Sequence, residues 1–340
     1  MSRDLTVAVA GATGAVGRAI LSILAQRNFP VSRLVPLASA RSAGQTLSYA
    51  DQTLTVQDLA TYDFNGTDLG LFSAGGSVSA IYAPKAAAAG CVVVDNTSEF
   101  RYRDDVPLVV AEVNPQALGR YRETGIVANP NCSTMQLMVA LAPIHRQFGI
   151  TRINIATYQS VSGAGQQGID ELTEQTRQIT EGQAVAPVKF GDQIAFNVVP
   201  HIDDFQDNGF TREEMKLVWE TRKILEDETI GVNPTAVRVP VYFGHAEAVH
   251  LETREPVSVK RVRELMQDSA GVTLMDDAHS GGYPTPATHA EGHDDVFVGR
   301  IRRDPTHPNG LNLWVVSDNV RKGAALNTVQ LAELLVKSHL

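Results

Sequence analysis

Short apolar runs separated by stretches with helical spacing dominate the first third of the chain. Residues 5–10 form the first run, and 34–38, 68–72, 92–95 and 126–128 repeat it. Apolar side chains in 17–27 recur at three- and four-residue intervals, which predicts an amphipathic helix, and the Ala-rich stretch 78–89 predicts a crossover helix. Continuous apolar strands alternating with helices predict a parallel sheet covered on both faces, the α/β class.

The pattern changes after about residue 150. Runs at 153–160, 236–241, 296–302 and 311–317 have mixed faces and are separated by long insertions rich in Gly, Pro and Asp, which predicts a second, α+β domain. Residues 323–337 return to helical spacing. A chain of 340 residues exceeds one ordinary core, so two domains are expected. Their expected bounds are 1–130 plus 320–340 for the first and 131–319 for the second.

Composition narrows the partners. Hydrophobic residues make up 43% and charged residues 20%, an ordinary soluble balance. The net charge of −9 and the lack of a basic cluster argue against nucleic acid. No apolar run is long enough to span a bilayer, and the first residues lack a signal-peptide pattern, so a cytoplasmic location is expected. The two cysteines, Cys91 and Cys132, are too few for a disulfide framework. Cys91 lies in Gly90-Cys91-Val92-Val93-Val94, a buried strand, and reads as a small core residue.

The first strand runs into Gly11-Ala12-Thr13-Gly14-Ala15-Val16-Gly17 and then into a helix. Glycines here let the backbone approach a pyrophosphate, and the helix N-terminus offers free N–H groups, so Gly11, Thr13, Gly14, Ala15 and Val16 are candidate cofactor contacts in a Rossmann-type domain. The second strand ends at Ser39, Arg41 and Ser42 without an acidic residue for a ribose 2′-hydroxyl. Two hydroxyls and a guanidinium suit a 2′-phosphate, and NADP is expected over NAD.

Asn129-Pro130-Asn131-Cys132-Ser133-Thr134 follows a predicted strand and precedes a helical stretch at 135–146. A cysteine at a helix N-terminus is stabilised as thiolate, which makes Cys132 a candidate nucleophile. Thr211 and Glu214 form a capping box, and Glu213 and Lys216, read locally, form a helix-surface ion pair. Arg238 is a charge amid apolar strand residues and requires an anionic partner. Read alone, that partner is either an internal carboxylate or a substrate.

Together, the glycine loop, Asn131-Cys132-Ser133-Thr134, Tyr158-Gln159 with Ser162-Gly163, Arg238-Val239-Pro240-Val241, Gly244-His245 and Trp314 through Asp318-Asn319 resemble aspartate-semialdehyde dehydrogenases over nearly the whole chain. The resemblance implies NADPH-dependent reductive dephosphorylation of L-4-aspartyl phosphate to aspartate semialdehyde through a Cys132 thioester. It implies a place in lysine (diaminopimelate), methionine and threonine biosynthesis. It gives His245 proton transfer and Gln159 substrate orientation. Asn131, Arg238 and Glu213 become substrate contacts, and Arg101 and Lys216 phosphate contacts. Ser162, Gly163 and Asn319 become contacts of the nicotinamide end. Ala246 stands where the family usually has Ser, and Glu99 where it often has a small residue. The resemblance also implies a homodimer or homotetramer assembled through the second domain. His289-Ala290-Glu291-Gly292-His293 has no supporting cysteine cluster or clear helix, and no metal is expected there. Two alternatives stand beside this reading: a related reductase such as N-acetyl-glutamyl-phosphate reductase, and a non-catalytic NADP-binding paralogue.

Overall fold

The computed structural model describes residues 5–338. The chain divides into two compact units, Met1–Asn131 with Ala324–Leu340, and Cys132–Gly323.

The first unit is built on a six-stranded, wholly parallel sheet of β1 (Leu5–Ala10), β2 (Val31–Ala38), β5 (Gln57–Asp58), β6 (Leu69–Phe72), β7 (Val92–Asp95) and β8 (Ile126–Ala128), in the order β5-β2-β1-β6-β7-β8. β6 and β7 are buried at every position, as strands covered on both faces must be. Helices α1 (Ala15–Gln26) and α2 (Gly76–Ala88) make the crossovers, and the hairpin β3 (Thr46–Tyr49) and β4 (Gln52–Thr55) follows β2. The last helix, α7 (Asn327–Ser338), returns to this unit: Val329, Leu331 and Leu335 join Val7, Val9, Ile20 and Leu24 in one core. It is tied down through Asn327, whose carboxamide bonds the main chain of Val109 and Ala111 and the side chain of Asn129.

The second unit holds a mixed sheet, β10 (Gly231–Arg238), β9 (Ile150–Gln159), β11 (His245–Thr253), β14 (Gly310–Ser317), β13 (Val296–Arg303) and β12 (Val272–Leu274), in that order. β10 runs parallel to β9 and β12 to β13, while the central pairs are antiparallel. Helix α3 (Cys132–Phe148) crosses one face and packs on β11 and β14, with α5 (Arg212–Leu225) beside it. α4 (Gln166–Thr180) and α6 (Val259–Asp268) complete the unit. Among the described residues no helix is long and apolar enough to cross a membrane.

The structure corrects several element assignments. The strand expected at 236–241 spans Gly231–Arg238 instead, because Pro240 carries no N–H for a ladder. His245 begins a strand, His245–Thr253, at a place where the sequence pattern marked none. The segment around His289 contains a short helical turn, Pro286–Ala290, where no helix was expected.

Candidate active site

In the first unit the glycine loop sits at the carboxyl ends of β1 and β6, where the strand order reverses and open α/β sheets bind ligands. Gly11 has φ +82°, and a Cβ there would stand 2.8 Å from the Ser73 main chain, so only glycine fits. A Cβ on Gly17 would meet the Gly11 carbonyl at 2.2 Å, which lets α1 pack directly under the loop. Gly14 caps α1 without any side-chain bond, leaving the first-turn N–H groups for a ligand. Gly11, Thr13, Gly14 and Ser39 line a cavity of about 470 Å³ with Asp58, Leu59, Ser73 and Tyr82. Arg41 and Ser42 lie on the turn that follows Ser39, Arg41 being exposed. These residues suit a dinucleotide: small residues where the backbone must approach phosphate, free N–H groups and a cavity beside them.

Asp58 was missed by sequence reasoning. It pairs in register with Ala38, so a carboxylate stands beside the end of β2 although β2 itself carries none. One of its oxygens accepts the Ala60 N–H at 3.0 Å.

Arg101 also belongs to this unit. It is buried, and its Nη2 donates to the Asn96 carbonyl at 2.8 Å. Glu99 is exposed. Asp95 is fully buried and accepts hydroxyl bonds from Ser79 and Thr97; burial raises its pKa over the opposing effect of these bonds and of Arg101.

The second unit brings most of the remaining candidates together. Cys132 is the first residue of α3, immediately after the buried Asn131. Gly323 packs against it: a Cβ at 323 would stand 2.7 Å from that of Cys132. Arg238 closes β10 and is buried. Its Nη1 donates to the Ser160 carbonyl at 2.8 Å, its Nε has no hydrogen-bond partner, and its guanidinium lies 5.8 Å from the Phe190 ring. Burial lowers its pKa, while the charges of Glu213 and Cys132 act to raise it. Among the described residues no carboxylate pairs with it, so the internal salt bridge is absent.

His245 is fully buried. Its Nδ1 accepts the Ser160 main-chain N–H at 3.0 Å and lies 3.1 Å from the Ser160 hydroxyl. Its Nε2 has no partner within the protein. Burial, then the Arg238 charge, push its pKa down to about 3 against Glu213 and the Gly244 main chain. Gly163 leaves the space in which these groups meet: a Cβ there would stand 2.9 Å from Arg238 Nη1 and 3.3 Å from His245 Nε2.

Asn319 joins three segments behind His245. Its Oδ1 accepts the Gly244 N–H at 2.9 Å and the hydroxyls of Ser160 and Ser162 at 3.0 and 3.2 Å, and its Nδ2 donates to Ser162 Oγ at 3.0 Å. Gln159, at the end of β9, donates to Glu213 Oε1 at 3.0 Å and accepts from Thr157. The capping box of Thr211 and Glu214 starts α5 and thereby sets Glu213 and Lys216 facing this side. Lys216 Nζ lies 2.8 Å from both Glu213 and Asp203, so the expected surface pair is a largely buried triad. Burial would lower the Lys216 pKa, but the two carboxylates outweigh it and the net shift is upward. Asp203 and Ser160 also escaped sequence reasoning: neither has a local pattern to mark it.

Glu247 lies two residues beyond His245 on the same face of β11, fully buried, with burial raising its pKa well above the carboxylate range. It faces Gln136 on α3, which accepts from Ser317, the cross-strand neighbour of His245. His289 is bonded locally through Nδ1 to Thr285 and Thr288, and His293 packs edge-on against Phe297. Among the described residues no three His, Cys, Asp or Glu side chains are grouped to hold a metal.

Comparison with known proteins places this geometry. Residues 6–121 match the family described as "Semialdehyde dehydrogenase, NAD binding domain", and 141–322 match "Semialdehyde dehydrogenase, dimerisation domain". The chain is 58% identical to the aspartate-semialdehyde dehydrogenase of Legionella pneumophila over 340 residues, 100% of this chain and 98% of that protein. It superposes on the crystal structure of aspartate semialdehyde dehydrogenase II from Vibrio cholerae complexed with ASA with a TM-score of 0.97 at 53% identity, covering 99% of this chain and 100% of that one. The Candida albicans aspartate semialdehyde dehydrogenase with NADP is a more distant match, 26% identical with a TM-score of 0.76 over 98% of each chain.

Proposed function

The chain belongs to the aspartate-semialdehyde dehydrogenase family, and from that premise we propose that it carries out the reversible NADPH-dependent reductive dephosphorylation of L-4-aspartyl phosphate to L-aspartate 4-semialdehyde through a thioester on Cys132. The observation that carries this reading is the buried Arg238 guanidinium, which has no carboxylate partner among the described residues and converges with His245 Nε2 at Gly163. A buried, uncompensated charge is costly and is relieved by an anionic ligand. An aspartyl substrate supplies such an anion in its α-carboxylate, which a guanidinium holds through two N–H groups.

Cys132, at the N-terminus of α3 and within the electrostatic reach of Arg238, attacks the acyl carbon as thiolate. His245 serves the reacting oxygen through its Nε2, which has no partner within the protein. Gln159 and Asn131 orient the substrate, and Glu213 takes its ammonium. Arg101 and Lys216 receive the phosphate, Lys216 sharing its charge with Glu213 and Asp203.

The unit Met1–Asn131 with Ala324–Leu340 binds the cofactor through Gly11, Thr13, Gly14, Ala15 and Val16 at the loop and Ser39, Arg41 and Ser42 at the ribose. Ser162, Gly163 and Asn319 serve its nicotinamide end. When bound, the nicotinamide supplies the hydride that reduces the acyl group. Arg41 favours NADP. Asp58 favours NAD, because a carboxylate beside the end of β2 can bond a ribose 2′-hydroxyl and repels a 2′-phosphate. The second unit carries catalysis and assembly into a homo-oligomer; the name of the family domain matching 141–322 supports the latter.

The test is phosphate-dependent oxidation of aspartate semialdehyde with NADP and NAD side by side, and of N-acetylglutamate semialdehyde in parallel. Turnover of the aspartyl aldehyde with preference for NADP is expected. Turnover of the acetylglutamyl aldehyde alone overturns the substrate reading, and preference for NAD overturns the role given to Arg41.

A further inference from the structure

Neutral imidazole has one N–H and one lone pair. A main-chain N–H can only donate, and Ser160 donates to His245 Nδ1 at 3.0 Å. Nδ1 is therefore the lone-pair nitrogen and Nε2 the N–H. Protonating Nδ1 as well would set two N–H groups against each other. Nε2 finds no acceptor in the protein and lies with Arg238 Nη1 beside Gly163.

We propose that His245 works as a fixed Nε2–H donor to the oxygen of the reacting carbonyl, not as the base that removes the Cys132 proton, and that Asn319 is the positioning residue that holds it so. Asn319 anchors the Gly244 N–H, one residue before His245, and the Ser160 hydroxyl, on the residue whose N–H sets the tautomer. One carboxamide thus fixes both the ring's own backbone and its hydrogen-bond donor. Its contacts lie entirely within this unit, independent of its assignment to the nicotinamide.

The acylation step balances without a base. The Cys132 thiolate forms the C–S bond, and the C=O pair moves onto oxygen, where it takes the Nε2–H hydrogen bond. That pair then returns, the bond from the acyl carbon to the oxygen that carries phosphorus breaks, and phosphate departs with the bonding electrons and takes up one proton from solvent water. A thiolate entering the step leaves no thiol proton to place, and His245 keeps its own. The charged groups acting on the ring are Arg238 from β10 and Glu213 from α5, with Cys132 acting on Arg238 from α3.

The inference rests on Cys132 being the nucleophile, but its test reads the imidazole directly. In enzyme carrying ¹⁵N-histidine, the His245 resonances are identified by their loss in His245→Gln. The expected spectrum shows a protonated Nε2 and a bare Nδ1, with no titration through the neutral range. In Asn319→Ala a second tautomer should appear, and phosphate release in a single turnover without cofactor should slow by roughly 10- to 100-fold. Asn319→Asp, which keeps the acceptor, should restore the single tautomer. A proton on Nδ1, an imidazolium titrating near neutrality, or an unchanged tautomer in Asn319→Ala overturns the proposal. Failure of the wild type to release phosphate would instead count against the proposed function.

Discussion

Gly163→Ala isolates the convergence of Arg238 and His245 from the chemistry of either side chain. The added methyl would stand 2.9 Å from Arg238 Nη1, against at least 3.4 Å in an ordinary contact. The guanidinium cannot simply swing aside, because the same Nη1 is bonded to the Ser160 carbonyl at 2.8 Å. The groups must therefore separate by roughly 0.5 Å. Misplacement of about 1 Å costs on the order of 100-fold in rate, so roughly 10-fold, or about 1.4 kcal/mol, is expected here. Overpacking should also cost about 1–3 kcal/mol of stability, which leaves the fold intact. The assay is kcat/KM for phosphate-dependent aldehyde oxidation, read beside thermal unfolding. A folded Gly163→Ala enzyme with wild-type kcat/KM would refute the claim that these two donors meet where the substrate reacts.

Alkylation should separate the two cysteines. Burial and then the Asp68 charge push the Cys91 thiol up to about 12, so iodoacetamide at neutral pH should label one site per chain and none in Cys132→Ser. Arg41→Ala should raise KM for NADP by roughly 10- to 100-fold with little change for NAD; equal loss with both cofactors would assign Arg41 no 2′-phosphate role. Glu247 binds its proton more tightly folded than unfolded, because burial raises its pKa. Its contribution is full below the ordinary carboxylate pKa and is lost as pH rises from there toward the raised folded value. Glu247→Gln should therefore gain Tm relative to wild type as pH rises above the ordinary carboxylate range; a pH-independent difference would contradict a neutral acid in the fold.

The first unit was the more legible in sequence because its signals are local. The glycine loop and the apolar runs at 5–10 and 92–95 each declare their conformation within a few residues, and the observed strands begin and end there. The mixed sheet hid its central strand. β11 interleaves Glu247, His250 and Glu252 with apolar residues, and only burial of Glu247 against α3 makes sense of that pattern. Lys216 and Glu213 were visible as a helical pair, but Asp203 lies on an irregular segment with φ +68°, which no periodicity marks. Asp58 joins Ser39 only through strand pairing, and Ser160 joins His245 and Asn319 only through folding across 85 and 159 residues. The chemistry of single side chains was readable; their hydrogen-bonded partners were properties of the fold.

The most direct test of the account is to mix the enzyme with L-4-aspartyl phosphate in the absence of nicotinamide cofactor, quench in acid and locate the acyl group by peptide mass spectrometry. An aspartyl thioester on the Cys132 peptide, absent in Cys132→Ser and discharged when NADPH is added before the quench, is the predicted result. Release of phosphate with no adduct, or an adduct on any other residue, would contradict it.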